Sequence, residues 1–235
     1  MPKLLYYYDL MSQPCRALYI FLKMTKIPFD AKEIAIRKGE HLTSEYEKLN
    51  PMKKVPVIDD NGFVLTESVA IFQYLCDKYK NEASSWYPPE LEKRARVNEY
   101  SNWQHLNLRA NGSMLFRKKI INPKLTNTPP NEKELNTWYE KWQESTKYLE
   151  KVFLRTNYLA GDQMTFADLL GACELMQPIG AGFDIDKANY PKVVAWFERV
   201  KSETQPFFDE AHKLNYRMRE RVLEEQSNVK QRSKI

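Results

Sequence analysis

Glycine is scarce, with seven residues among 235. A chain so poor in the residue that tight turns favour is not a turn-rich all-β barrel or sandwich. Cysteine is nearly absent as well. The three present, Cys15, Cys76 and Cys173, are an odd set without metal-type spacing. That argues against a disulfide framework and a bound metal, and fits a reducing compartment. No apolar run approaches the roughly 20 residues of a membrane-spanning helix. The opening MPKLLYYYDL lacks the apolar stretch of a secretory leader. The expectation is a cytoplasmic protein with no membrane partner. An excess of one charge is missing too: 36 Lys and Arg stand against 31 Asp and Glu, a net +5. A nucleic-acid surface concentrates its cations. Here they are interspersed with acids, and the basic end at 230–234 is short and expected to fray. Nucleic acid is not an expected partner.

Aromatic residues, by contrast, are plentiful: 14 Tyr, 11 Phe and 5 Trp, enough for a sizeable core. Their pattern changes along the chain. Apolar 4–8 reads as a strand. Ser12-Gln13-Pro14 then opens a helix to about residue 24, since Ser caps well and Pro suits a first turn. Alternation over 29–36 predicts a second strand, 55–59 a third and 63–65 a fourth. Asp60-Asn61-Gly62 is a hairpin signal between the last two. Residues 67–79 have helical spacing. The order is βαβ–ββα, that of a thioredoxin-like domain, assigned to 1–81. The proline-containing stretch 81–89 reads as a linker. Helical spacing dominates from 90 onward, at 91–116, 132–153, 166–176, 193–200 and 205–225. The fold class is therefore α/β plus all-α, with a helical bundle over 90–235. Thr165-Phe166-Ala167-Asp168 has the spacing of a capping box, and Met164 is placed to pack on Leu169.

Four short segments carry chemistry. Ser12-Gln13-Pro14-Cys15 sits between the first strand and first helix, where a thioredoxin-like fold would place Cys-x-x-Cys. Ser in the first position removes dithiol exchange. It leaves a hydroxyl at a helix N-terminus, able to donate to a substrate thiolate. The plainer reading of Ser12 is a helix cap, and of Cys15 a packed thiol. Lys53-Lys54-Val55-Pro56 enters the third strand. An extended peptide could pair with the Val55 backbone, and the lysines could meet a carboxylate. The bond before Pro56 is a candidate for cis. Proline starting an edge strand is the simpler alternative. Thr66-Glu67-Ser68 opens a helix, where free N–H groups and the Ser68 hydroxyl suit a carboxylate and Glu67 an amine. A cap is again the alternative. His41, in a polar segment, can anchor a carboxylate or do nothing. Together these groups describe a tripeptide with one thiol, two carboxylates and one amine, the chemistry of glutathione.

The sequence resembles the cytosolic glutathione transferases, and among them the serine-type theta class. The resemblance rests on Ser12-Gln13-Pro14-Cys15-Arg16, Lys38-Gly39-Glu40-His41, Asn50-Pro51-Met52-Lys53-Lys54-Val55-Pro56, Thr66-Glu67-Ser68-Val69-Ala70, Trp103-Gln104-His105 and the segment 174–182. It implies a homodimer in which Ser12 activates the thiol and Gln13, His41, Lys54, Val55, Glu67 and Ser68 bind glutathione. It implies Arg109 on the electrophile side, or on the thiol side, with a solvated helix charge as the plainer reading. It implies conjugation of alkyl and aralkyl halides and epoxides, with reduction of organic hydroperoxides, as a detoxifying activity. Glutathione is then a co-substrate, and no separate cofactor is implied. Small hydrophobic electrophiles are the other partners. Two rival readings remain: a non-catalytic binding module of the same fold, and a thiol–disulfide oxidoreductase acting through Cys15.

Overall fold

The computed structural model describes residues 4–232, with side chains to 228. The side chains of the basic end at 230–234 thus lie outside the described residues.

The chain opens with β1 (Leu4–Tyr8), α1 (Gln13–Thr25) and β2 (Asp30–Glu33), the start of a four-stranded sheet completed by β3 (Val57–Asp60) and β4 (Phe63–Thr66). The strand order is β2-β1-β3-β4. β1 runs parallel to β2 and antiparallel to β3, and β3 antiparallel to β4. Register pairs Tyr6 with Ala31 on one side and with Ile58 on the other. Leu4, Tyr6 and Tyr8 alternate inward, and the Tyr6 hydroxyl donates to the Cys15 carbonyl at 2.7 Å, tying β1 to α1. The hairpin turn forms where the sequence placed it. Asn61 and Gly62 both take positive φ, 55° and 91°, the geometry that suits the twist of the flanking strands. α3 (Ser68–Lys78) closes the βαβ–ββα order.

The second strand is shorter than alternation predicted. Its backbone donors are captured by side chains: the Glu40 carboxylate accepts from Ala35 N–H at 2.7 Å and Asp9 from Ile36 N–H at 2.9 Å. The chain turns there into two short 3₁₀ segments, Ile36–Lys38 and Glu40–Leu42, and then α2 (Ser44–Leu49). The third strand starts at Val57 rather than Val55, after a cis Val55–Pro56 bond.

The expected linker is not one. α4 (Lys80–Ala83) and a 3₁₀ turn, Ser84–Trp86, fill it. Trp86 packs edge-on against Phe21, and Tyr87 against Phe166 of the helical half. Two aromatics with partners on both sides outweigh the proline signal, each buried ring contributing roughly 1.5–3 kcal/mol.

The helical half contains α5 (Leu91–Gln104), α6 (Ala110–Phe116), α7 (Asn122–Thr126), α8 (Glu132–Tyr148), α9 (Phe166–Gly180), α10 (Pro191–Glu203) and α11 (Phe207–Arg232). Wider π-type turns at His105–Arg109 and Arg117–Ile121 join α5, α6 and α7 into one long run. α9 is the central helix, buried along nearly its whole length, and it packs on α1, α6 and α11. Gly171 permits that packing, since a Cβ there would stand 2.7 Å from the Tyr100 hydroxyl and 2.9 Å from the Trp196 ring. The capping box at its start is present. Asp168 Oδ2 accepts from the Thr165 N–H at 2.8 Å and its hydroxyl at 3.1 Å. Asp168 Oδ1 goes further, accepting from Leu159 N–H and the Trp196 indole at 2.9 and 2.8 Å.

Candidate functional site

The turn between β1 and α1 is built around Asp9. Its carboxylate accepts from Met11 N–H at 2.8 Å and Ile36 N–H at 2.9 Å, while its carbonyl accepts from Ser12 N–H at 2.9 Å. Ser12 is thereby fixed at the N-cap position of α1, with φ −86° and ψ 125°. Its hydroxyl makes no capping hydrogen bond, although the backbone is in the capping conformation. The reading of Ser12 as a mere cap therefore fails in this structure. The hydroxyl reaches toward the Cys15 thiol, a weak partner.

Cys15 itself is wholly buried, and burial pushes its thiol up to about 11 against the lowering influence of Ser12. It stays a thiol near neutral pH, inert as a nucleophile. The oxidoreductase reading has no support from this geometry.

The third-strand entry is held by Asn50 and Tyr46, which both donate to the Lys54 carbonyl at 2.8 Å. Lys53 turns away to pair with Glu47 at 3.0 Å. Lys54 and Val55 face a cleft of about 320 Å³ together with Asn50, Thr66, Glu67 and Ser68. The Val55 backbone lies before the ladder that β3 makes with its neighbours. Glu67 has φ 66° and ψ 111°, a conformation a non-glycine residue adopts only when held there. It occupies the N-cap position of α3 without a side-chain capping bond, and Ser68 is the first helical residue. Both side chains therefore sit at the helix's free N–H end, suited to an anion.

The opposite wall comes from the helical half: His105, Arg109, Ala110 and Ser113. Arg109 thus lies on the cleft shared by Lys54, Val55, Glu67 and Ser68, rather than on the larger cavity described below. Its Nε is 3.6 Å from buried Glu174, and its guanidinium meets His105 Nδ1 at 3.4 Å. Burial, with help from Arg109, lowers the His105 pKa. The Gln13 side-chain amide is nearly buried and donates to Ser113 Oγ at 2.7 Å, bridging the two halves beside the cleft. His41 is not brought into this lining. It sits in the Glu40–Leu42 turn with Nδ1 buried and unpartnered among the described residues.

A second cavity of about 1230 Å³ includes Met11 of the same turn in its lining. α11 supplies Leu214, Met218 and Val222, and the 117–132 segment supplies Ile120, Pro123 and Pro129. Ser12 lies in sequence between a residue of this apolar-lined cavity and one that is bonded to the wall of the polar cleft.

Comparison with known proteins decides the family. Residues 3–77 match the family Glutathione S-transferase, N-terminal domain, and 113–203 the Glutathione S-transferase, C-terminal domain. Bovine glutathione S-transferase theta-1 is 41% identical over 210 residues, 88% of this chain and 87% of that protein. The chain belongs to the theta-class glutathione S-transferases. The human theta-1 protein is 40% identical over the same share of each chain. Human glutathione-S-transferase T1-1 in its apo form superposes with a TM-score of 0.87 at 39% identity, covering 92% of this chain and 91% of that one. A human theta-class structure bound to the glutathione conjugate of 1-menaphthyl sulfate gives 0.86 at 33% identity, covering 96% and 91%.

Within this glutathione S-transferase fold, sequence reasoning missed His105 and Ser113, which reach the cleft from the helical half, and Arg16 and Glu174 behind it. Arg16 did carry a signal. It is a charge inside the apolar run Cys15–Leu22 of α1, where a solvated face would not put one. Among the described residues no cluster of side chains is arranged to hold a metal ion, and no helix is long and apolar enough to cross a membrane.

Proposed function

We propose that this chain binds glutathione in the polar cleft and that Ser12 holds its sulfur as thiolate for attack on an electrophile in the larger cavity. The observation that carries this reading is the Ser12 hydroxyl: it stands at a helix N-terminus, in capping geometry, and caps nothing. A donor there with only the weak Cys15 thiol as partner favours a neighbouring anion, through both the hydrogen bond and the helix dipole. Val55 offers backbone groups outside the ladder to a peptide. Lys54 and the start of α3 suit its carboxylates, and Glu67 its amine. Gln13 and Arg109 flank the same space, and His41 is assigned to a glutathione carboxylate through the resemblance alone.

In the reaction, the thiolate attacks carbon, a C–S bond forms, and halide leaves or an epoxide opens. With an organic hydroperoxide, sulfur attacks the terminal oxygen and the alcohol departs. A second glutathione then releases water and the disulfide. Relatives bound to glutathione and to a glutathione conjugate support the substrate assignment. Small hydrophobic electrophiles suit the apolar residues of the larger cavity. A cytoplasmic, detoxifying homodimer completes the proposal, with exposed Phe63 and Val64 on edge strand β4 available to a second copy. Turnover of an aralkyl halide by wild type and Ser12→Ala tests the assignment. Equal rates across pH would remove Ser12 from the mechanism.

A further inference from the structure

Behind the polar cleft lies a carboxylate that the reaction above does not use. Glu174, on central helix α9, is 1% exposed. Among the described residues neither of its oxygens has a hydrogen-bond partner of full geometry, and the Gln13 side chain is the near donor that lowers its pKa. Its charge partners are two guanidiniums. Arg16 approaches from α1 and is wholly buried, fixed by the Leu10, Met11 and Cys173 carbonyls and by Gln177. Arg109 approaches from the π-type turn, 3.6 Å away, and also lines the cleft. Arg16 therefore directs both terminal nitrogens elsewhere, and its Nε has no partner among the described residues. Arg109 has no other carboxylate within ion-pair distance among the described residues.

The groups facing this carboxylate are few. They are Arg16 and the Gln13 side-chain amide from α1, Tyr100 from α5, Arg109 with its neighbour His105, and Cys173 on α9 itself. His212 of α11 faces Arg16 rather than Glu174. Burial pushes the Glu174 carboxyl up to about 7 against the lowering pull of Arg109 and Arg16. Tyr100 and Cys173 are pushed upward by burial and stay neutral near that pH. His105 is held down and is neutral there as well.

We propose that Glu174 is a positioning residue acting through Arg109: a carboxylate of glutathione entering the cleft competes with Glu174 for the one guanidinium, and binding is completed by uptake of a proton on Glu174. The inference rests on the reading that glutathione occupies this cleft. Its logic is competition: Arg16 stays held by the Leu10, Met11 and Cys173 carbonyls and Gln177, so a ligand carboxylate that draws Arg109 toward the cleft weakens the larger of the two attractions that keep Glu174 ionised in its buried place. The buried partner, already hard to ionise, is the one that is protonated. Linkage then requires tighter binding on the acid side of neutrality.

The test is titration calorimetry of S-methylglutathione at pH 7 in buffers of different ionisation enthalpy. The methyl group silences the proton of the sulfur, so the slope of heat against buffer enthalpy counts protons taken up by the protein. The wild type is expected to take up a substantial fraction of one proton, and to bind about fivefold more tightly at pH 6 than at pH 8. Glu174→Gln should lose both effects. Arg109→Gln, which keeps the carboxylate but removes the shared cation, should lose the uptake even if Glu174→Gln fails to fold. His105→Asn should retain it. Zero slope in the wild type, persistent uptake in Glu174→Gln or Arg109→Gln, or loss in His105→Asn would each overturn the inference. Failure of S-methylglutathione to bind at all would instead remove the glutathione reading, and the inference with it.

Discussion

Arg16 of α1 donates to Gln177 of α9 at 2.7 Å and to the Cys173 carbonyl at 3.1 Å, joining residues 161 and 157 positions apart. The same guanidinium donates to the Leu10 carbonyl at 2.9 Å, in the turn that presents Ser12. One buried cation thus fixes the Ser12 turn to the core of the helical half.

Removing it should be costly. Arg16→Gln leaves four acceptors short of a donor and Glu174 with one fewer counter-charge. A loss of about 3–5 kcal/mol is expected, the range for breaking a buried charge network. Urea unfolding of the variant checks this. A midpoint unchanged from wild type would show that the contacts are not maintained.

Asp168 makes a second such node. It receives the Thr165 N–H and hydroxyl, the Leu159 N–H and the Trp196 indole. Asp168→Ala should destabilise by several kcal/mol, at least about 3, because four donors lose one acceptor in a dry site. Thr165→Ala should lose about 1 kcal/mol, the scale of one cap. Equal effects of the two variants would contradict the picture of Asp168 as the shared acceptor.

Much of this was legible in advance, for local reasons. The hairpin at Asp60-Asn61-Gly62, the capping box and the βαβ–ββα order depend on neighbours within a few residues. The Lys54–Val55 and Glu67–Ser68 segments lie farther apart in sequence, and the β3–β4 hairpin between them brings both to one cleft. What escaped was long-range. His105 and Ser113 enter the cleft from a helix whose face cannot be assigned until its partner is known. Glu174 looks like an ordinary helical charge until α1 and α5 close over it. His41 went the other way, since side-chain capture of the Ala35 and Ile36 amides folds its segment into a turn outside the cleft lining. The expected linker failed because proline signals were weighed without the partners of Trp86 and Tyr87.

Glu174 also predicts how stability depends on pH. Its folded pKa, raised to about 7 by burial, lies above the unfolded value of about 4.3. The stabilisation it contributes is therefore complete below the unfolded value and is lost as pH rises through the folded one. Glu174→Gln should become steadily less unfavourable relative to wild type between those two limits. Denaturant midpoints at several pH values measure this, and a constant difference would contradict it.

The cysteines should be silent. Burial raises Cys15 to about 11 and Cys76 and Cys173 to about 12. A colorimetric thiol reagent at neutral pH should label none of them quickly in the folded protein and all three after denaturation. Rapid labelling of Cys15 in the native state would reopen a redox role for that segment.

The most direct measurement is the ultraviolet titration of the glutathione thiolate on the protein, for wild type and Ser12→Ala. The wild type should ionise bound thiol well below the ordinary value of about 8.5, and the variant should return the midpoint toward it by about one unit or more. Turnover of an aralkyl halide should fall with it, by about 10²–10³-fold, as when one donor to a developing anion is removed. Identical midpoints in the two proteins, both with glutathione bound, would contradict the assignment of the sulfur to Ser12.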